Sequence, residues 1–124
     1  MEYDEARAVA ENLAALMEAA GYRQKQLAAK SGLSQRSISN LLRPDRGHSP
    51  TLESVSKVAA AFGLKAWQMM IPGQDVAALK PNRVDKLLEN YIQSDEAGRQ
   101  HIERASETEA AYRLTSQPLK AGNR

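Results

Sequence analysis

The sequence predicts an all-helical protein, a unit of five short helices followed by a C-terminal helical extension. Three observations carry that prediction. Apolar residues recur at three- and four-residue steps rather than alternating, which is the spacing of one helical face. Glycines fall where those runs stop, and glycine readily takes the left-handed conformation that ends a helix. Ser and Thr stand just ahead of new runs, where their side chains can cap a helix start.

Ala6, Val9, Ala10, Leu13, Leu16, Met17 and Ala20 share one face of a first helix, about residues 5–20, and Gly21 stops it. A second helix, about 24–31, buries Leu27 and Ala28 and ends at Gly32. Ser34 caps a third, about 35–42, whose inner face is Ile38, Leu41 and Leu42. Pro44 closes it, and RPDRGHSP reads as a loop by its Pro, Gly, Asp and Ser content. Thr51 caps a fourth helix in which Leu52, Val55, Val58, Ala59 and Phe62 keep helical spacing, with Gly63 at its end. A short fifth helix, about 66–70, contributes Trp67 and Met70, and a lone Trp in so small a unit is expected to fill the core. Pro72-Gly73 ends the unit, which gives a first domain over residues 4–74.

A linker follows over residues 75–82, then C-terminal helices over 83–114. In the first of these Val84, Leu87, Leu88, Tyr91 and Ile92 form one stripe. Ser94 or Asp95 caps the next, about 96–113, whose weaker stripe is Ile102, Ala105 and Tyr112. Residues 115–124, TSQPLKAGNR, are polar with a Pro and a Gly and are expected to be disordered.

Composition removes several classes of function. The 124 residues include no cysteine, which excludes disulfides, thiolate chemistry and the common zinc knuckles, and fits a reducing compartment. His48 and His101 have no second ligand nearby in sequence, so no metal site is expected. No set of nucleophile, base and orienting group stands out, and no catalytic residue or cofactor is expected. No apolar run reaches the roughly 18–20 residues that span a bilayer, and the start MEYDEARAVAENL is acidic. These features predict a soluble, unexported protein of the bacterial cytoplasm or nucleoid, without a membrane partner.

The formal net charge is only +2, but it is unevenly placed. Residues 1–22 carry one Arg against five acids, residues 23–66 carry eight Lys/Arg against two, and residues 67–124 carry eight of each. The basic excess therefore surrounds the second and third helices, where it would attract a polyanion.

That same stretch obeys a steric pattern. Two short helices crossing at a steep angle need a small residue at the crossing and a glycine in the turn, and Ala28 and Gly32 stand there. Leu33, Ile38 and Leu41 supply the side chains that lock the third helix in place. Together these make a helix-turn-helix.

GYRQKQLAAKSGLSQRSISNLLRP, followed by SPTLESVSKVAAAFGL, resembles the lambda-repressor and Cro-like (XRE-type) helix-turn-helix family over about residues 7–71. The likeness lies in Gln at the start of helix 2, Leu-Ala within it, Gly-Leu-Ser at the turn and Ser-Ile-Ser in helix 3. It implies a five-helix lambda-repressor-like domain whose third helix enters the major groove of double-stranded DNA. By matching positions, Gln35, Arg36 and Asn40 would read bases, with Ser37 near a phosphate or base. Gln24 matches a residue that grips a phosphate and braces Gln35. The chain departs from the family at Arg23, which stands where a Ser or Thr usually caps helix 2; the missing cap costs roughly 0.5–2 kcal/mol unless another group replaces it.

Residue chemistry points the same way. Guanine offers N7 and O6 to the two-pronged Arg36, and adenine offers N6 and N7 to the amides of Gln35 or Asn40. Arg23, Lys25, Arg43 and Arg46 flank the groove and would meet phosphates, and Ser39 stands between solvent and phosphate.

So small a reader is expected to work as a homodimer on a palindromic operator, with recognition helices about one DNA turn, ~34 Å, apart. The stripe Val84, Leu87, Leu88, Tyr91 and Ile92 is favoured as a dimer or tetramer surface over packing back on its own domain, and the fifth helix is the other candidate surface. The leading reading is a sequence-specific transcriptional regulator of the phage or prophage repressor type. Residues 75–124 are too short and too helical for the peptidase domain of self-cleaving repressors, so relief would come from an antirepressor, a ligand or turnover. The competing reading is an antitoxin or adaptor that binds a partner protein through its C-terminal helices and uses DNA binding for autoregulation.

Overall fold

The computed structural model describes residues 4–75 and 83–116. The linker over 76–82 and the tail from 117 onward, both named above, lie outside the described residues. Among those described there are seven α-helices and no strands, so the protein is all-α. The chain divides into two compact units, Met1–Arg83 and Val84–Arg124.

In the first unit, α1 spans Glu5–Ala20, α2 Gln24–Ser31, α3 Gln35–Leu42, α4 Leu52–Ala61 and α5 Ala66–Met69, with a 3-10 turn at Pro44–Arg46 inside the loop after α3. Each boundary has a local cause. The Asp4 carboxylate accepts from the Arg7 N–H at 3.1 Å and starts α1. The Ser34 hydroxyl accepts from the Ser37 N–H at 3.0 Å and starts α3, and Thr51 does the same for Ser54 at 3.0 Å and starts α4. Gly32, at φ 82°, turns the chain between α2 and α3. A Cβ at Gly32 would meet nothing within 4 Å, so glycine is required there by the left-handed backbone and not by crowding.

At the start of α2 an arginine has no acceptor with which to cap a helix. The Gln26 side chain supplies the other half of the cap instead, accepting from the Arg23 N–H at 2.7 Å.

The core of this unit joins Val9, Leu13, Leu16 and Met17 of α1 to Leu27, Ile38, Leu41, Val55, Val58 and Ala59. Leu64 and Met69 close its far side. Three sequence expectations are corrected here. Leu52 is 67 % exposed rather than buried, because it opens α4 at the rim of a cleft shared with Glu5, Ala6 and Met70, where the helical stripe runs out of partners. Ala20 is exposed at the end of α1, while Ala8 and Asn12, outside the expected stripe, are buried. Trp67 is only half-buried, and Met69 and Gln68 take the interior positions of α5.

The reason lies in a polar clamp. Asn12, 4 % exposed, donates both amide hydrogens, one to the Met69 carbonyl and one to the Ile71 carbonyl, each at 2.9 Å. Gln74 adds bonds to the Gln68 carbonyl at 2.7 Å and the Ile71 carbonyl at 2.9 Å. A helix of four residues has no face of its own strong enough to set its rotation; the clamp to α1 sets it.

In the second unit, α6 spans Arg83–Gln93 and α7 spans Glu96–Ser116, a little past the expected end near residue 113. Asp95 caps α7, accepting from the Gly98 N–H at 2.8 Å. Arg99 reaches back to the end of α6, donating to the Tyr91 carbonyl at 3.0 Å and the Ile92 carbonyl at 2.6 Å. The Tyr91 hydroxyl donates to the Glu103 carboxylate, and that bond holds the phenol above its usual pKa range. No described side chain of either helix is buried.

Candidate nucleic-acid interface

The geometry of α3 follows from what holds it. Ser34 fixes its first turn, and Ile38 at 0 % and Leu41 at 3 % exposure fix its rotation by filling the core. Leu42 packs partly buried against the same core, and the polar positions are turned away from it. Gln35 and Arg36 are exposed on the first turn, and Ser37, Ser39 and Asn40 are half-buried further along.

The expected contact residues fall into three places. Gln35 and Arg36 stand on the outer side of the first turn of α3. Ser37 and Asn40 line a cleft of about 300 Å³ whose other wall is Gly47, His48, Ser49 and Pro50, with Thr51 and Ser54 at its end. Arg23, Gln24 and Lys25 lie at the start of α2, where Arg23 and Lys25 are exposed and Gln24 is half-buried. No hydrogen bond between Gln24 and Gln35 occurs among the described residues, so the bracing that the family resemblance implies is not formed in this conformation.

The cations differ in how they are held. Arg43 lies 3.6 Å from Asp45, an exposed pair of the kind worth little in water. Among the described residues Arg23, Lys25, Arg36 and Arg46 make no ion pair. Lys30, which belongs to the same basic stretch, instead sits 5.7 Å from the centroid of the Tyr22 ring. Tyr22 in turn packs against Phe62 at 5.7 Å. Lys30 therefore helps brace α2 on α4, a structural use of charge.

Sequence reasoning missed the loop wall. The sequence places His48 and Ser49 in a loop and sets His48 aside as a metal ligand, yet both line the cleft with Ser37 and Asn40. The available signal was the capping pair Thr51 and Ser54, which places the start of α4 and so brings the preceding loop beside α3. Asn12 was missed for a different reason: its partners are 57 and 59 residues away.

A helix-turn-helix family model matches residues 13–66, from within α1 to the first residue of α5. No curated protein and no solved structure matches the chain. No helix among the described residues is long and apolar enough to cross a membrane. The match, the two short helices joined through left-handed Gly32 and the capped third helix agree. Residues 13–66 are thus similar to a helix-turn-helix domain of the lambda-repressor-like (XRE) type.

Proposed function

We propose that the protein is a sequence-specific transcriptional regulator of the phage-repressor type, which binds a palindromic operator as a homodimer. Gln35, Arg36 and Asn40 read base edges in the major groove. Gln24, Ser37, Ser39, Arg23, Lys25, Arg43 and Arg46 hold the phosphate backbone, and the α6 stripe of Val84, Leu87, Leu88, Tyr91 and Ile92 joins the two copies.

The observation that carries this reading is the division of α3: Ile38 and Leu41 are buried while the exposed Arg36 has no ion partner among the described residues. An arginine held outward on a rigid, capped helix needs no backbone ordering to meet a guanine edge, so only its side-chain rotamers are lost on binding. Each well-placed bidentate contact discriminates against a wrong base by about 1–3 kcal/mol. Arg43 reaches a phosphate by exchanging its weak pairing with Asp45 for a stronger charge-assisted bond.

Selection of bound DNA from a random pool tests the proposal. A two-fold symmetric consensus with half-site centres about 10 base pairs apart is the expected result. Absence of any enriched sequence would overturn it and leave the partner-binding adaptor as the better account of the C-terminal helices.

A further inference from the structure

We infer that DNA binding by this protein is coupled to protonation of His48, whose imidazolium meets a backbone phosphate beside α3. This rests on α3 lying in the major groove, as proposed above, and adds a titratable contact to it. Within the basic stretch of residues 23–66, His48 alone has a side chain of the type that changes charge between about pH 5 and 8. The lysines and arginines around it stay charged throughout that range.

The contact follows from the rotation of α3. At about 100° per residue, Asn40 lies about 40° and Ser37 about 100° to one side of Arg36, and Leu41 follows on the same side as it turns into the core. Those are the α3 residues that line the cleft with Gly47, His48 and Ser49. The loop therefore runs along one flank of the outward face. A helix lying in a groove about 12 Å wide has a phosphate strand on each flank, so the loop meets one of the two.

His48 is exposed and makes no hydrogen bond or ion pair among the described residues. It stands on a ridge, with the cleft towards α3 on one side and a second cleft, of about 630 Å³, on the other. The charged groups that face it all line the second cleft: Asp4, Arg7 and Glu11 from α1 and Asp45 from the 3-10 turn. Each of those acids is already engaged. Asp4 caps α1 at the Arg7 N–H, Glu11 pairs with the Arg7 guanidinium at 3.3 Å, and Asp45 lies 3.6 Å from Arg43. From α3 and α4 the first cleft presents only uncharged polar groups, Ser37, Asn40, Thr51 and Ser54. An imidazolium on this ridge thus has no counter-ion on the α3 side until a phosphate supplies one. A phosphate beside the ring favours its charged form, so binding takes up a proton, and affinity falls as pH rises through the imidazole range.

Binding of the full chain to sheared duplex DNA of mixed sequence, at about pH 5.5 and about pH 8, tests the coupling. The wild type should bind about ten-fold more tightly at the lower pH, and its salt slope should be steeper there by about one. His48→Gln should bind alike at the two pH values, with one slope at both. His48→Arg should keep the tighter binding and the steeper slope at both. His101→Gln, which changes the other histidine, on α7, should behave as the wild type does. A pH dependence that survives in His48→Gln, or a wild type that binds alike at both pH values, would overturn the inference. A symmetric selected consensus that Arg36→Ala loses would then leave the groove docking intact, whereas no binding of duplex DNA at either pH would overturn both.

Discussion

The two units of this chain use the same helical spacing of apolar residues to opposite ends. In the first, α1 through α5 bring their stripes together and fourteen hydrophobic residues are buried. In the second, α6 carries an equally clear stripe and buries nothing. Periodicity therefore states that a face wants cover; it does not state what covers it. Where four other helices compete for the same interior the cover is intramolecular, and where only one helix follows, Leu87, Leu88 and Ile92 stay exposed.

Mutations separate the two cases. The largest effect is expected at Leu13, which is 0 % exposed: Leu13→Ala should lower the unfolding free energy by about 2–5 kcal/mol in denaturant titration. The matching change in the second unit, Leu88→Ala, should leave that transition unmoved at a concentration where the chain is monomeric, and weaken self-association in sedimentation. Equal destabilisation by both changes would erase the distinction between the units.

Asn12→Ala comes next. It removes the donor to two carbonyls, Met69 and Ile71, and should cost about 1–3 kcal/mol by leaving buried acceptors unpaired. Loss of α5 packing should show in Trp67 fluorescence at lower denaturant than the loss of helical ellipticity. Coincident transitions at wild-type denaturant would show that the clamp does not secure α5.

Arg36→Ala should leave stability unchanged and cost about 1–3 kcal/mol in preference for the selected site over random DNA, while weak, salt-sensitive binding remains. An undiminished footprint would remove Arg36 from the reading set. The smallest effect is expected at Arg23→Ser. A serine there can accept from the Gln26 N–H and complete the half-formed cap, which should add about 0.5–2 kcal/mol of stability. If Arg23 meets a phosphate, the same change should reduce the salt slope of binding by about one.

Much of the fold could be read from particular residues. Gly21 and Gly32 end their helices with left-handed backbones, and Ser34 and Thr51 cap theirs, because caps and left-handed turns depend on residues a few positions apart. The inward positions Leu13, Leu27, Ile38 and Val58 follow from spacing for the same local reason. The outward residues of α3 could be named because they are what remains once its buried face is subtracted.

Other features needed the assembled chain. Leu52 keeps the correct spacing yet stands at a rim, because a helical wheel has no record of where the neighbouring helix ends. Met69 displaced Trp67 from the interior because a one-turn helix takes its rotation from a distant asparagine. His48 and Ser49 gained a place beside Asn40 only when the loop folded back along α3.

The sequence by itself determined the helices, their ends and the outward face of α3, since each is specified by side chains within one or two turns. Tertiary structure alone decided which apolar faces are covered, how α5 is turned and which loop lies beside α3. Those outcomes depend on contacts between residues far apart in the chain, where no local preference outweighs the packing of the whole.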